Sequence, residues 1–276
     1  MNIPLSRKLD QFYTNPHYAE SFFKEISQHI NLDEADILLE PSAGNGSFYN
    51  LLCHNKRLGI DVDPKCDGVI KQDFFSWYPK KKIKIISIGN PPFGKNSSLA
   101  VKFFNHAASF SEAIAFVLPR TFNKDVIINR LDQNFHLIYN KDTPPNSFIF
   151  NNKPYDVWCC AQIWTRQPIK RDKIPIPKLK DLSEWFSIVD PKEADFSIQR
   201  VGGAAGSIRT ENFRNLSSNS HYFIKQYDAR VLGIFQSIDF EPVRRNTAGN
   251  PSVSSGELAR LWREQAQSRG IIPQKN

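Results

Sequence analysis

The stretch "SIGNPPFGK", residues 87–95, closes a run of Ile and Lys that reads as a β-strand and then stops it. Neither Pro91 nor Pro92 has a backbone N–H to give to a ladder, so the strand must end at Asn90 in a rigid turn poor in donors. An Asn stands on one side of that turn and a Phe on the other. Upstream, further short apolar segments end in acids. "ILLE" (37–40) ends in Glu40, "GIDVDP" (59–64) carries Asp61, and "KQDFF" (71–75) carries Asp73 followed by Phe74. One acid at a strand end is usually a turn residue. Several in succession, followed by NPPF, outline a row of strand ends around a ligand, because in a parallel sheet ligands sit just beyond the carboxyl ends of the strands.

The surrounding pattern agrees. "PHYAESFFKEISQHI" (16–30) has Phe22, Ile26 and Ile30 at helical spacing, with Pro16 suited to the first turn. "SSLAVKFFNHAASF" (97–110) reads as a helix and "AIAFVLP" (113–119) as a buried strand. "FHLIYN" (135–140) and "YDVWCCAQIW" (155–164) are further strands. Apolar strands separated by helices predict a mainly parallel α/β sheet covered on both faces.

The loop after Glu40, "PSAGNGSF", contains Gly44 and Gly46, which let the backbone approach a ligand. It is neither the dinucleotide fingerprint, since Tyr49 holds the third Gly position, nor a phosphate-cradling Walker loop, since GK[ST] is missing. Asp61 is placed to accept from both hydroxyls of a ribose. Asp73 and Phe74 suit an adenine amino group and ring face. Together with NPPF they describe an adenosine site.

These residues resemble the class I S-adenosylmethionine-dependent N6-adenine methyltransferases that carry an NPP[YF] motif. The resemblance spans roughly residues 10–164. It is closest to the group whose motifs run cofactor first, catalysis second, target recognition last. "QFYTNP" (11–16) is similar to that group's N-terminal cofactor motif, "EPSAGNG" to its Gly-containing motif, "GIDVDP" to its ribose motif, and "QDFF" to its adenine motif. "GNPPFG" is similar to its catalytic motif, and "FVLPRTF" (116–122) and "FNNKPYDVWCCAQIW" (150–164) to its later motifs. The resemblance implies a Rossmann-like, mainly parallel seven-stranded sheet with helices on both faces, and S-adenosylmethionine as cofactor. It implies Tyr13 and Thr14 at the methionine end of that cofactor, Glu40, Gly44 and Gly46 lining it, Asp61 on the ribose, and Asp73 with Phe74 on the adenine. Asn90, Pro91, Pro92 and Phe93 would form the catalytic clamp. Phe93 would stack on the extruded base together with Phe150 or, as second choice, Phe148. DNA is the expected substrate, with the role open between restriction–modification, phage and epigenetic methylation, and RNA adenine is the alternative. The same clamp also serves enzymes acting on cytosine N4 or on a protein glutamine amide. A silent nucleic-acid-binding module would be expected to have lost Asn90.

Composition sets the remaining bounds. Among 276 residues there is no apolar run of membrane-spanning length, and "MNIPLSRKLDQ" has no apolar signal core. The expectation is an intracellular protein, cytoplasmic in a bacterium or phage-infected cell and nuclear in a eukaryote. Four cysteines without CxxC spacing and six scattered His predict neither disulfide scaffold nor metal. The net charge is +8. Residues 165–276 hold 18 Lys and Arg against 12 Asp and Glu, whereas residues 1–164 hold 18 against 16. The Pro-rich, basic stretch "TRQPIKRDKIPIPKLK" reads as a linker. The expected division is therefore a catalytic domain, 1–164, and a basic target-recognition domain, 165–276, with Arg200, Arg209, Lys225, Arg244 and Arg245 as phosphate contacts. "SSGELARLWREQAQSR" predicts a terminal helix, with Ser254 and Glu257 in capping-box spacing.

Overall fold

The structure is a computed structural model and describes residues 12–247 and 249–273. The N-terminal stretch from Met1 to Gln11, including the first residue of the "QFYTNP" motif, lies outside the described residues. The chain forms two compact units, residues 12–174 and 175–273.

In the first unit, strand β1 (Tyr13–Thr14) leads into helix α1 (Pro16–His29), whose N-cap Asn15 accepts from the His17 N–H while Pro16 fills the first turn. Next come β2 (Ile37–Glu40), β3 (Arg57–Asp61), β4 (Ile70–Lys71) and β5 (Ile85–Gly89). Helix α2 (Ser98–Ala108), β6 (Ala113–Pro119), the single turn α3 (Asp125–Ile128) and β7 (Phe135–Asp142) follow. The unit ends with β8 (Phe148–Phe150), β9 (Lys153–Tyr155) and β10 (Cys159–Arg166).

The central sheet has seven strands in the order β4-β3-β2-β5-β6-β10-β7. The strands run parallel except β10, which is antiparallel to both its neighbours. That topology is the Rossmann-like class I methyltransferase fold. Alternation along β6 explains the unbroken apolar run of its sequence. Ile114, Phe116 and Leu118 enter the core layer under α2, while Ala113, Ala115 and Val117 enter the layer under α1.

Sequence patterning does not anticipate β8 and β9. They form a hairpin that pairs with β1 in a separate three-stranded sheet, with Tyr13 opposite Ile149 and Thr14 opposite Phe148. The predicted strand 155–164 accordingly begins only at Cys159.

The unit boundary also departs from the predicted one at 164/165. Strand β10 continues to Arg166, whose guanidinium lies over the Phe135 ring and donates to the carbonyls of Ser111 and Ala108. Arg171 donates to the carbonyls of Phe135, Ile128 and Leu131. The supposed linker's first ten residues are thus part of the first unit. Residues 1–174 then hold 22 Lys and Arg against 17 Asp and Glu, and residues 175–276 hold 14 against 11. The charge excess is spread along the chain, and the predicted concentration in the C-terminal part disappears.

The second unit contains β11 (Phe186–Ile188), β12 (Phe196–Gln199), β13 (Ile208–Arg209) and β14 (His221–Gln226), an antiparallel sheet in the order β11-β14-β12-β13. Helices α4 (Arg230–Gln236), α5 (Glu241–Arg244) and α6 (Ser255–Ser268) complete it. Its core joins Phe186, Phe196, Ile224, Phe235 and Trp262. The predicted capping box is present: the Ser254 hydroxyl accepts from the Glu257 N–H, and the Glu257 carboxylate accepts from the Ser254 N–H at 2.8 Å. No helix among the described residues is long and apolar enough to cross a membrane.

Candidate active site

Strands β2, β3 and β5 are adjacent and parallel, so their carboxyl ends bring Glu40, Asp61 and Asn90 to one edge of the sheet. The loop after β2 ties these ends together. The Gly44 N–H donates to Asp61 Oδ2 at 2.8 Å, and the Lys65 N–H donates to the Gly44 carbonyl at 2.9 Å. The Ser42 hydroxyl donates to the Asn90 carbonyl at 3.1 Å. Gly44 and Gly46 both have left-handed φ, +50° and +83°. A Cβ at Gly44 would stand 2.9 Å from the Tyr13 ring, and one at Gly46 would stand 2.6 Å from Cys66 Sγ. Their lack of a side chain makes room for the protein's own neighbours.

Asp61 is half-buried and works hard for the loop. Besides the Gly44 N–H, it accepts the Asp63 N–H on Oδ1 at 2.7 Å. Each oxygen keeps a second lone pair with which to accept a further donor. The Tyr13 phenol, beside this loop, is shifted upward by burial and by the charges of Asp61 and Asp63, with Lys65 opposing.

Three buried acceptor-type oxygens in this region have no hydrogen-bond partner among the described residues: Thr14 Oγ1, Glu40 Oε2 and Asn90 Oδ1. Thr14 is 3 % exposed and Glu40 2 %. Burial pushes the Glu40 carboxyl well above the usual carboxylate range; the Tyr49 backbone N–H opposes this and nearby Asp61 adds to it. Buried polar atoms are normally satisfied, so orphans at the ends of β2 and β5 and on β1, which Ser47 ties to the loop after β2, mark a place for a ligand's donors.

Asn90 follows the last residue of β5. Its Nδ2 donates to the Phe12 carbonyl at 3.1 Å, leaving Oδ1 as the orphan. Around Phe12 lies an aromatic cluster that sequence reading found only in part. The Phe12 ring stacks on Tyr155 at 5.1 Å with an interplanar angle of 7°. Phe150 lies 5.5 Å from Phe12 and 5.6 Å from Tyr155. Phe150 is therefore in the aromatic group beside Asn90. Phe148, 1 % exposed, belongs to the core under α1, so the second choice for base stacking is withdrawn. Phe93 is 8 % exposed and joins the same core layer, so most of it is committed to packing.

Phe74 departs from expectation. Its ring is 2 % exposed and packs on Phe75, Phe103, His106 and Phe110, which leaves no face for an adenine. Asp73 is exposed and caps a short 3-10 turn, accepting the Phe75 N–H at 3.0 Å. Ser42 and Ser47, whose hydroxyl donates to the Thr14 carbonyl at 2.7 Å, were missed because serines in a Gly-rich loop carry no distinctive spacing.

In the second unit, Lys225 pairs with Asp195 at 2.9 Å, and Arg244 and Arg245 both pair with Glu241. Arg200 lies over the Tyr222 ring at 5.3 Å. Arg209 is exposed, with no partner among the described residues.

No protein-family model and no curated protein matches this chain. Similar solved structures include a candidate RNA methyltransferase from Pyrococcus horikoshii, at TM-score 0.46 and 16% identity, covering 60% of this chain and 90% of that one. The 23S rRNA methyltransferase ErmE aligns at TM-score 0.40 and 14% identity, over 57% of this chain and 71% of its own. Magnesium protoporphyrin IX methyltransferase from Synechocystis PCC 6803, solved with S-adenosylmethionine bound, aligns at TM-score 0.40 and 12% identity, over 60% and 86%.

Proposed function

We propose that the chain transfers a methyl group from S-adenosylmethionine to the N6 amino group of adenine in DNA, with the target base turned out into the NPPF clamp. The observation that carries this reading is Asn90 Oδ1, a buried acceptor without a partner among the described residues, at the carboxyl end of β5. The nitrogen of an aromatic amine is a poor nucleophile because its lone pair is delocalised into the ring. An acceptor fixed before the reaction takes one amino hydrogen and offsets the positive charge that grows on nitrogen during attack. The Pro91 carbonyl, held by the rigid Asn90-Pro91-Pro92 turn, serves as the second acceptor.

S-adenosylmethionine supplies an electrophilic methyl group on sulfonium. Its ammonium group matches the oxygens of Thr14 and Glu40 that have no partner among the described residues, and Asp61 retains lone pairs for ribose hydroxyls. Phe12, Phe150 and Tyr155 beside Asn90 favour a flat aromatic substrate over a glutamine side chain, since base–aromatic stacking contributes about 1–3 kcal/mol per base. The second unit is proposed to hold the polymer, with Arg209 the best placed of the five basic residues to meet a phosphate. The three already paired within the chain would have to exchange partners.

Labelled methyl transfer from S-adenosylmethionine to parallel pools of DNA, RNA and protein tests the reading. N6-methyladenine in DNA is the expected product. Label confined to folded RNA would move the substrate to RNA adenine, and label on protein glutamine would overturn the nucleic-acid reading.

A further inference from the structure

A carboxamide can turn by half a turn about its last bond, exchanging an acceptor for a donor at each position. Methyl transfer to an amine tolerates only one of the two settings at Asn90, because an N–H facing the amino group could not accept its hydrogen. Nothing within Asn90 itself chooses between them. The chain supplies the choice from outside. The Phe12 carbonyl stands 3.1 Å from Nδ2; with the amide reversed, two oxygens would face each other across that gap. The Asn90 backbone is held separately, by the Ser42 hydroxyl on its carbonyl.

The segment that carries Phe12 is fixed on two sides. On the cofactor side, the Tyr13 ring lies against Gly44, and the Thr14 carbonyl accepts from Ser47 at 2.7 Å. On the other side, β1 pairs with β8, and the Phe12 ring packs on Phe150 and Tyr155. We propose that the Phe12 main-chain carbonyl is the positioning group that sets the Asn90 amide, nitrogen towards Phe12 and oxygen towards the target, and that β1 links this setting to the cofactor side. The proposal rests on the reading of Asn90 as the acceptor for the target amine.

The Asn90→Asp variant separates this role from a merely structural one. A carboxylate at this position would place a negative oxygen against the Phe12 carbonyl. The same carboxyl, protonated, donates its O–H to that carbonyl and keeps its other oxygen as the acceptor. Activity of Asn90→Asp at saturating cofactor should therefore be present at low pH. It should fall about tenfold for each pH unit above the pKa of the introduced carboxyl, over a range where wild type does not show that fall. A rate for Asn90→Asp that is flat, or that rises with pH, would overturn the lock.

A second measurement needs neither cofactor nor substrate. In the full chain labelled with 15N-asparagine, with the Asn90 signal assigned by its loss in Asn90→Ala, one side-chain amide proton of Asn90 should exchange with water at least about tenfold more slowly than those of exposed asparagines. Addition of S-adenosylmethionine should slow it further. Exchange of both protons at the exposed rate would overturn the proposal. A chain that methylates nothing would sink the functional reading, while the exchange result would still decide the lock.

Discussion

At Glu40 a whole carboxyl group is buried with one oxygen unpaired among the described residues, a costly arrangement unless a further donor completes it. Its pKa in the cofactor-free fold is raised, chiefly by burial. The folded state therefore holds this proton more tightly than the unfolded state does. The associated stability is complete below the ordinary value of 4.5 and is lost as pH rises towards the raised pKa. Glu40→Gln removes that dependence. The cofactor-free variant should melt higher than wild type at pH 8, by about 2–4 °C for each kcal/mol released, and should differ little near pH 4. Its affinity for S-adenosylmethionine should fall at the same time, because an amide offers the ammonium no charge. Thermal scans across pH check the first claim and calorimetric titration the second. A variant less stable than wild type at pH 8 would refute the burial argument. Other residues show where sequence reading stops. Phe148 and Phe150 are two apart on one strand and share a face, so alternation could not rank them. What separates them is that Phe148 meets the core under α1. Phe74 followed an acid at a strand end, but its ring turned to a cluster of aromatic neighbours on α2 and the turn after it, a choice set by packing.

Among the elements, the central sheet was the most legible part. Its inner strands, β2, β5, β6 and β10, are mostly buried and largely apolar, and prolines or acids close several strands at the carboxyl edge. The hairpin β8–β9 was not legible. Its partner, β1, is only two residues long and lies more than a hundred residues away in sequence, so local pattern carries no trace of the pairing. The loop between β2 and β3 makes its own prediction. Gly46→Ala puts a Cβ in a left-handed conformation and against Cys66, at a cost of roughly 1–3 kcal/mol. Adding Cys66→Ala removes the 2.6 Å contact with Sγ and should recover that share of the loss, leaving the backbone part and the 3.0 Å approaches of Asn50 Nδ2 and the residue 66 Cβ. Denaturant unfolding of the two single variants and the double variant measures both contributions. Equal stability of Gly46→Ala and wild type would show that the loop does not need this conformation.

For the whole molecule, the boundary at 174/175 changes what truncation should do. A fragment ending at residue 164 loses the end of β10 and the carbonyl contacts of Arg166 and Arg171. It should unfold at lower temperature than one ending at residue 174. The longer fragment should keep S-adenosylmethionine binding and lose most nucleic-acid binding, and the binding of the full chain should weaken steeply with salt. Melting curves and filter binding at several salt concentrations check these expectations. A 1–174 fragment that binds DNA as tightly as the full chain would remove the second unit from polymer recognition. Composition placed the boundary too early, because a Pro-rich, basic stretch reads as a linker whether its basic residues face solvent or donate to carbonyls of the first unit. Arg166 and Arg171 are of the second kind.

The reading of the site stands or falls on Asn90. The direct measurement is the single-turnover rate of N6-methyladenine formation by Asn90→Ala and by wild type, with cofactor affinity measured in parallel. Loss of an acceptor that acts in the transition state should lower the rate about 100-fold or more while leaving the S-adenosylmethionine dissociation constant within about twofold. A variant that methylates at close to the wild-type rate would contradict the assignment of Asn90 as the acceptor.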